Sequence, residues 1–104
     1  MAAGSQHLEK IVQNFLDEIQ KLYRVDSAYL FGSYAKGTSN QWSDIDLAII
    51  SSDFSEDLYE ERLFLMRLAA EIDDRIEPKP FRPETFTAIE PLVDEIKKNG
   101  LKLV

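Results

Sequence analysis

The chain has 104 residues, 12 of them Lys or Arg and 19 Asp or Glu, for a formal charge of −7. That length suits one small domain with a modest core, and 44% hydrophobic with 30% charged residues is a globular composition. No apolar run approaches the roughly 20 residues that span a bilayer, no basic and apolar leader marks secretion, and zero Cys excludes disulfides, thiolate metal sites and thiol nucleophiles. The cytoplasm is the expected compartment. An acidic chain is a poor stand-alone binder of DNA or RNA, because phosphate neutralisation needs clustered Lys and Arg. Converging carboxylates suit divalent cations instead.

Met1 to Ser5 carry no pattern and are set aside as a disordered terminus or expression scar, with residues 6–104 read as a single domain. From Leu8 to Tyr23, Leu8, Ile11, Val12, Phe15, Leu16, Ile19, Leu22 and Tyr23 recur at the spacing of one helical face. Ser27 to Phe31 is a short aromatic-rich strand stopped by Gly32. Gly32 to Asn40 is rich in turn formers. Asp44 to Ile50 alternates and then turns fully apolar, which predicts a strand with an exposed first half and a core second half. After cap candidates in 51–57, Leu58 to Ile72 suggests a second long helix ending near Asp73. Arg75-Ile76-Glu77 opens a third strand, which Pro78 and Pro80 mark as short or at an edge. Ile89, Leu92, Val93 and Ile96 predict a last helix with Pro91 in its first turn and Asn99-Gly100 as its stop. Leu101 to Val104 is a final short strand or a tail. The fold class is therefore α/β (α+β): a small mixed sheet with helices packed against it.

Two features carry chemistry. Gly32-Ser33-Tyr34-Ala35-Lys36-Gly37 follows a strand directly. Gly32 permits a sharp turn and close approach of a ligand, and a helical turn after it would offer free N–H groups to an anion. The second feature is Asp44-Ile45-Asp46. Carboxylates two apart on a strand share a face, with Cα atoms roughly 6.6 Å apart. That span suits a pair of cations about 3.5–4 Å apart.

Gly32-Ser33, ten intervening residues and then Asp44-Ile45-Asp46 resembles the signature of the DNA polymerase β-like nucleotidyltransferases. The fuller stretches Leu30 to Gly37 and Ser43 to Ile49 are similar to its smallest branch, the minimal nucleotidyltransferase (MNT) domains, including those that serve as antitoxins. The resemblance runs from about Val25 to Phe81 and implies the polymerase β palm-like fold. It further implies that Gly32 and Ser33 bind a triphosphate; Lys36, in the same turn, contacts phosphate or is simply solvated. Asp44 and Asp46 would hold two Mg²⁺ ions (Mn²⁺ being a substitute), with a third acid on the neighbouring strand. Glu77 is the candidate for that acid, although the family commonly has Asp there; Asp73 and Asp74 are the alternatives. The implied reaction moves NMP, AMP from ATP, to an acceptor hydroxyl. In the MNT branch the partner is typically a small helical HEPN-type protein, whose Tyr can be the acceptor; a homo-oligomer is the other source of an acceptor site. The alternative is a non-catalytic nucleotide-binding module that neutralises its partner by contact.

Lesser residues carry two readings each. Tyr34 packs or lines the loop. Trp42 stacks on a base or covers the core edge. Arg75 and Lys79 share the face of Glu77 in a regular strand, as its charge partners or as phosphate contacts. His7 is exposed and inert, and a lone terminal His excludes a Ser-His-Asp triad. The second long helix and the C-terminal segment are candidate interface surfaces.

Overall fold

A computed structural model of the chain describes residues 2–40, 42–87 and 89–104, with side chains from His7 onward. The order is α1 (Ala2–Gln20), β1 (Ser27–Phe31), α2 (Ser33–Lys36), β2 (Ile45–Ile50), α3 (Leu58–Ala70), β3 (Ile76–Phe81), a 3-10 turn (Pro83–Thr85), α4 (Pro91–Asn99) and β4 (Leu101–Lys102). The four strands form one sheet in the order β3-β2-β1-β4. β1 is antiparallel to β2 and β4, and β2 is parallel to β3. A parallel neighbour needs a crossover, which α3 supplies.

Alternation along β2 builds two cores. Ile45, Leu47 and Ile49 face one way, into a cluster with Phe15, Ile19, Leu30, Leu65 and Ala69, so α1 and α3 cover that face. Ala48 and Ile50 face the other way, against Phe86, Val93 and Ile96 of the 3-10 turn and α4. Asp46 shares this second face at the end nearest β2's start. β2 is thus apolar on both sides, and its carboxylates stand where the second core stops.

Local signals explain the element ends. The Asp57 side chain accepts a hydrogen bond from Glu60 N at 3.1 Å and caps α3. Pro91 occupies the first turn of α4. Ile89 does not join the apolar face of α4; it precedes the helix and is 91% exposed. Leu22 likewise lies beyond α1, which ends at Gln20, and is exposed. α1 begins at Ala2, so the backbone of residues 2–5 is helical. Alanine, at positions 2 and 3, is the strongest helix former. Met1 lies outside the described residues.

β3 is an edge strand, as its prolines require, and it runs to six residues. Ile45 N donates to Arg75 O at 2.7 Å and Ser51 N to Phe81 O at 3.0 Å. The odd-numbered residues therefore turn their backbone groups toward β2. Pro78 and Pro80 turn theirs outward, where a missing N–H costs no ladder bond. Of the two outcomes the prolines allowed, a short strand or an edge strand, β3 takes the edge, and for that reason it need not be short. No described helix is long and apolar enough to cross a membrane.

The loops behind β2 hang on one buried hydroxyl. Ser51 is fully buried; its Oγ donates to Arg24 O at 2.6 Å and accepts from Asp53 N at 3.0 Å. Ser51→Ala strands both partners. The expected cost is about 1–3 kcal/mol, read as a lower denaturant midpoint at unchanged m-value.

Candidate active site

The site is assembled where β1 ends and β2 begins. Phe31 of β1 pairs with Asp46 of β2, so the residue after the strand, Gly32, lies beside Asp46. Gly32 has φ +74°, and a Cβ there would lie 2.2 Å from Asp46 Oδ2. Only glycine satisfies both demands, the positive φ and the close approach. The chain then coils into α2: Ala35 N and Lys36 N both donate to Gly32 O at 3.1 Å, and Gly37, at φ +77°, closes the turn.

The approach to β2 is also fixed. Ser43 N donates to Asn40 O at 3.0 Å, Asn40 N to Ser43 Oγ at 2.9 Å, and Trp42 N to Asn40 Oδ1 at 2.8 Å. This turn delivers Asp44, exposed, just ahead of the half-buried Asp46. Across the parallel ladder, Asp46 pairs with Glu77. Asp46 senses both neighbouring carboxylates. Burial first, then the charges of Asp44 and Glu77, raises the Asp46 carboxyl above its ordinary value, against a lowering effect of Lys79.

The alternatives for the third acid separate here. Asp73 is held by Arg75, whose Nη2 and Nε lie 3.0 and 3.1 Å from its two oxygens. That guanidinium pulls the Asp73 carboxyl below its ordinary value. Neither Asp73 nor Asp74 figures among the charges that act on Asp46, whereas Glu77 does. Arg75 is thus the partner of Asp73, not of Glu77 as its strand position suggested. The partner of Glu77 is Arg62 of α3, with Nη2 3.6 Å from Oε1, a pairing that no spacing in the sequence marks.

The remaining candidates divide. Lys36 leaves the turn and pairs with Glu95 of α4 at 3.5 Å. Tyr34 does both things expected of it: it packs against the main core, and its hydroxyl meets Asn40 O and Arg75 Nη1, each at 3.4 Å. Trp42 is 80% exposed, so it does not cover the core edge. His7 is exposed. A groove between α1 and α3, lined by Asn14, Asp17, Lys21, Leu68 and Ile72, holds none of the motif residues.

Carboxylate oxygens are the donors that Mg²⁺ and Mn²⁺ prefer, and the raised Asp46 carboxyl marks a surplus of negative charge. The donor chemistry of Asp44, Asp46 and Glu77 therefore fits a divalent cation. Among the described residues, no three Asp, Glu or His side chains are drawn closely enough together to enclose one. Glu77 is turned toward Arg62.

Residues 12–103 match the nucleotidyltransferase domain family. The chain therefore belongs to that family. It is 30% identical over 89 residues to the protein adenylyltransferase MntA of Shewanella oneidensis, an alignment covering 86% of this chain and 61% of that protein. The chain thus spans about three-fifths of that relative's length. A solved toxin–antitoxin structure with AMP-PNP contains a chain 25% identical, with TM-score 0.65, covering 92% of this chain and 72% of that one. A chain of a mutant form of the toxin–antitoxin MntA–HpeT is 26% identical with TM-score 0.62, covering 92% and 71%. A Sulfolobus solfataricus chain, 18% identical with TM-score 0.63, shares the fold over 89% of this chain and 76% of its own.

The raised Asp46 carboxyl has a consequence for stability. A group that holds its proton more tightly when folded favours the fold below its ordinary value of 3.8. That contribution is lost as pH rises through the raised value. At neutral pH the ionised Asp46 therefore burdens the fold. Asp46→Asn should raise the thermal midpoint at pH 7 in chelator, and the gain should shrink as the pH falls toward 4. A midpoint equal to or below wild type at pH 7 would contradict the electrostatic account.

Proposed function

We propose that the chain is a Mg²⁺-dependent nucleotidyltransferase that moves AMP from ATP to a hydroxyl on a protein partner. The observation that carries this reading is the contact of Gly32 with Asp46, beside Glu77 in the sheet register. It puts a gap in the side-chain wall next to three carboxylates carried by, or leading into, rigid strands.

The backbone at Gly32 and the Ser33 hydroxyl would receive the triphosphate. Lys36 would join them by leaving Glu95. Asp44, Asp46 and Glu77 would hold two Mg²⁺ ions. Bound Mg²⁺ supplies charge neutralisation of the triphosphate during in-line transfer. The acceptor oxygen attacks the α-phosphorus, the bond to the β-phosphate oxygen breaks, and pyrophosphate leaves. Glu77 would take the acceptor's proton. Its place across the ladder from Asp46 keeps it on the same face of the sheet.

The relatives support the substrate. One is a protein adenylyltransferase, and one similar structure contains AMP-PNP. The toxin–antitoxin complexes support a protein partner; the motif resemblance, not those complexes, suggests a small helical protein of the HEPN type with a tyrosine as acceptor. Exposed apolar side chains at Tyr59 on α3 and at Leu101, Leu103 and Val104 give such a partner a surface.

The first test is a calorimetric titration with ATP, with and without Mg²⁺, on wild type and on Asp44→Asn/Asp46→Asn. Mg²⁺-dependent binding that disappears in the double variant is expected. Undiminished binding in that variant would contradict the site. A second reading, neutralisation by contact alone, draws on the engagement of Glu77 by Arg62. It predicts that Asp46→Asn still neutralises the partner. The transferase reading predicts that neutralisation and the added AMP mass on the partner vanish together.

A further inference from the structure

Glu77 lies between two claims on its charge. On one side is Asp46, paired with it across the ladder. On the other is Arg62, whose Nη2 approaches Glu77 Oε1 at 3.6 Å. That contact is loose, longer than a charge-assisted hydrogen bond of about 2.7–2.9 Å. The same guanidinium carries a second oddity: its Nε is buried and has no hydrogen-bond partner among the described residues. A buried donor without a partner is costly and uncommon. Nε and Nη2 form one prong pair of the guanidinium, the geometry that receives both oxygens of a carboxylate. A small shift of Glu77 would close this fork and satisfy both donors.

We propose that Arg62 is a positioning residue for the third carboxylate, a latch that competes with the divalent cation for Glu77. Without metal, Glu77 is held by Arg62 of α3. Metal draws it to the carboxylate pair, and Arg62 gives it up. This rests on the assignment of Glu77 as a metal ligand made above. The side chains concerned are half-exposed, Arg62 at 38% and Glu77 at 35%. The pair is therefore worth little enough to break on binding, and enough to be measured. The latch also joins the crossover helix to the site. α3 connects β2 to β3 and packs against β3, so a partner that shifts α3 would shift the competition.

The test reads metal affinity directly, by calorimetric titration of Mn²⁺ into the metal-free, nucleotide-free chain. Arg62→Met, which keeps length and removes the fork, should bind Mn²⁺ about two- to fivefold more tightly than wild type, the range of a half-exposed ion pair. Arg62→Lys keeps the charge without the fork and should gain less. Unchanged or weaker binding in Arg62→Met overturns the latch; weaker binding would mean that Arg62 orients Glu77 toward the metal. Glu77→Gln separates the two claims. If it leaves Mn²⁺ affinity at the wild-type level, the assignment of Glu77 as a ligand fails. If it weakens binding, the assignment stands, and the gain from Arg62→Met should disappear in the double variant. A gain of equal size in that background would reduce Arg62 to a through-space charge and overturn the latch.

Discussion

The contact between Gly32 and the Asp46 carboxylate is the constraint on which the site depends. An antiparallel register puts Phe31 opposite Asp46, so the next residue must pass the carboxylate on its way out of the sheet. With the Cβ position 2.2 Å from Oδ2 and φ at +74°, no other residue fits without moving one strand or the other. The same step turns the chain into α2, so the turn and the carboxylate are positioned by one event. A loop that merely visited the carboxylate would not hold this spacing. Here it is set by the pairing of two strands buried in the core.

That core is what makes an unfavourable charge arrangement tolerable. Asp46 stands at the border of the second apolar cluster, and burial is the largest influence on its proton affinity. Two more carboxylates lie close enough to raise it further. The fold therefore holds electrostatic repulsion at the start of β2. β2 is covered on both faces, by α1 and α3 on one side and by α4 with the 3-10 turn on the other. Apolar burial there offsets the repulsion, as functional sites commonly require. On the proposed reading, the same repulsion would be released by a cation that neutralises the group.

Much of this was legible in the sequence, and the reasons differ by residue. Gly32, Asp44 and Asp46 declare themselves because each sits at a strand end, where local spacing alone fixes the face. Glu77 was legible with less force, since its place beside Asp46 depends on a parallel register set by tertiary packing. The edge position of β3 followed from its prolines, but its length did not, because which way a proline's nitrogen points is decided by the partner strand. Arg62 carried no signal. It looks like one charge among many on an exposed helix, and its meeting with Glu77 depends on how the crossover helix lies against the edge. Arg75 misled for the opposite reason: two residues from Glu77 on a strand, it bends back to Asp73 before the strand starts.

The openness of the site bears on how it would work. Asp44 is exposed, Asp46 and Glu77 are only partly covered, and Trp42, two residues ahead of Asp44, projects from the loop at 80% exposure. Nucleotidyl transfer competes with transfer to water, and an enzyme suppresses that by excluding solvent from the reacting phosphate. On the reading proposed above, the acceptor protein would do more than present a hydroxyl. Seated over the face shared by Asp46 and Glu77, it would displace water, strengthen each charge interaction by lowering the local dielectric, and bury a tryptophan of the kind that anchors interfaces. A sheet that leaves its carboxylates at the surface would then transfer efficiently only to a partner large enough to cover them.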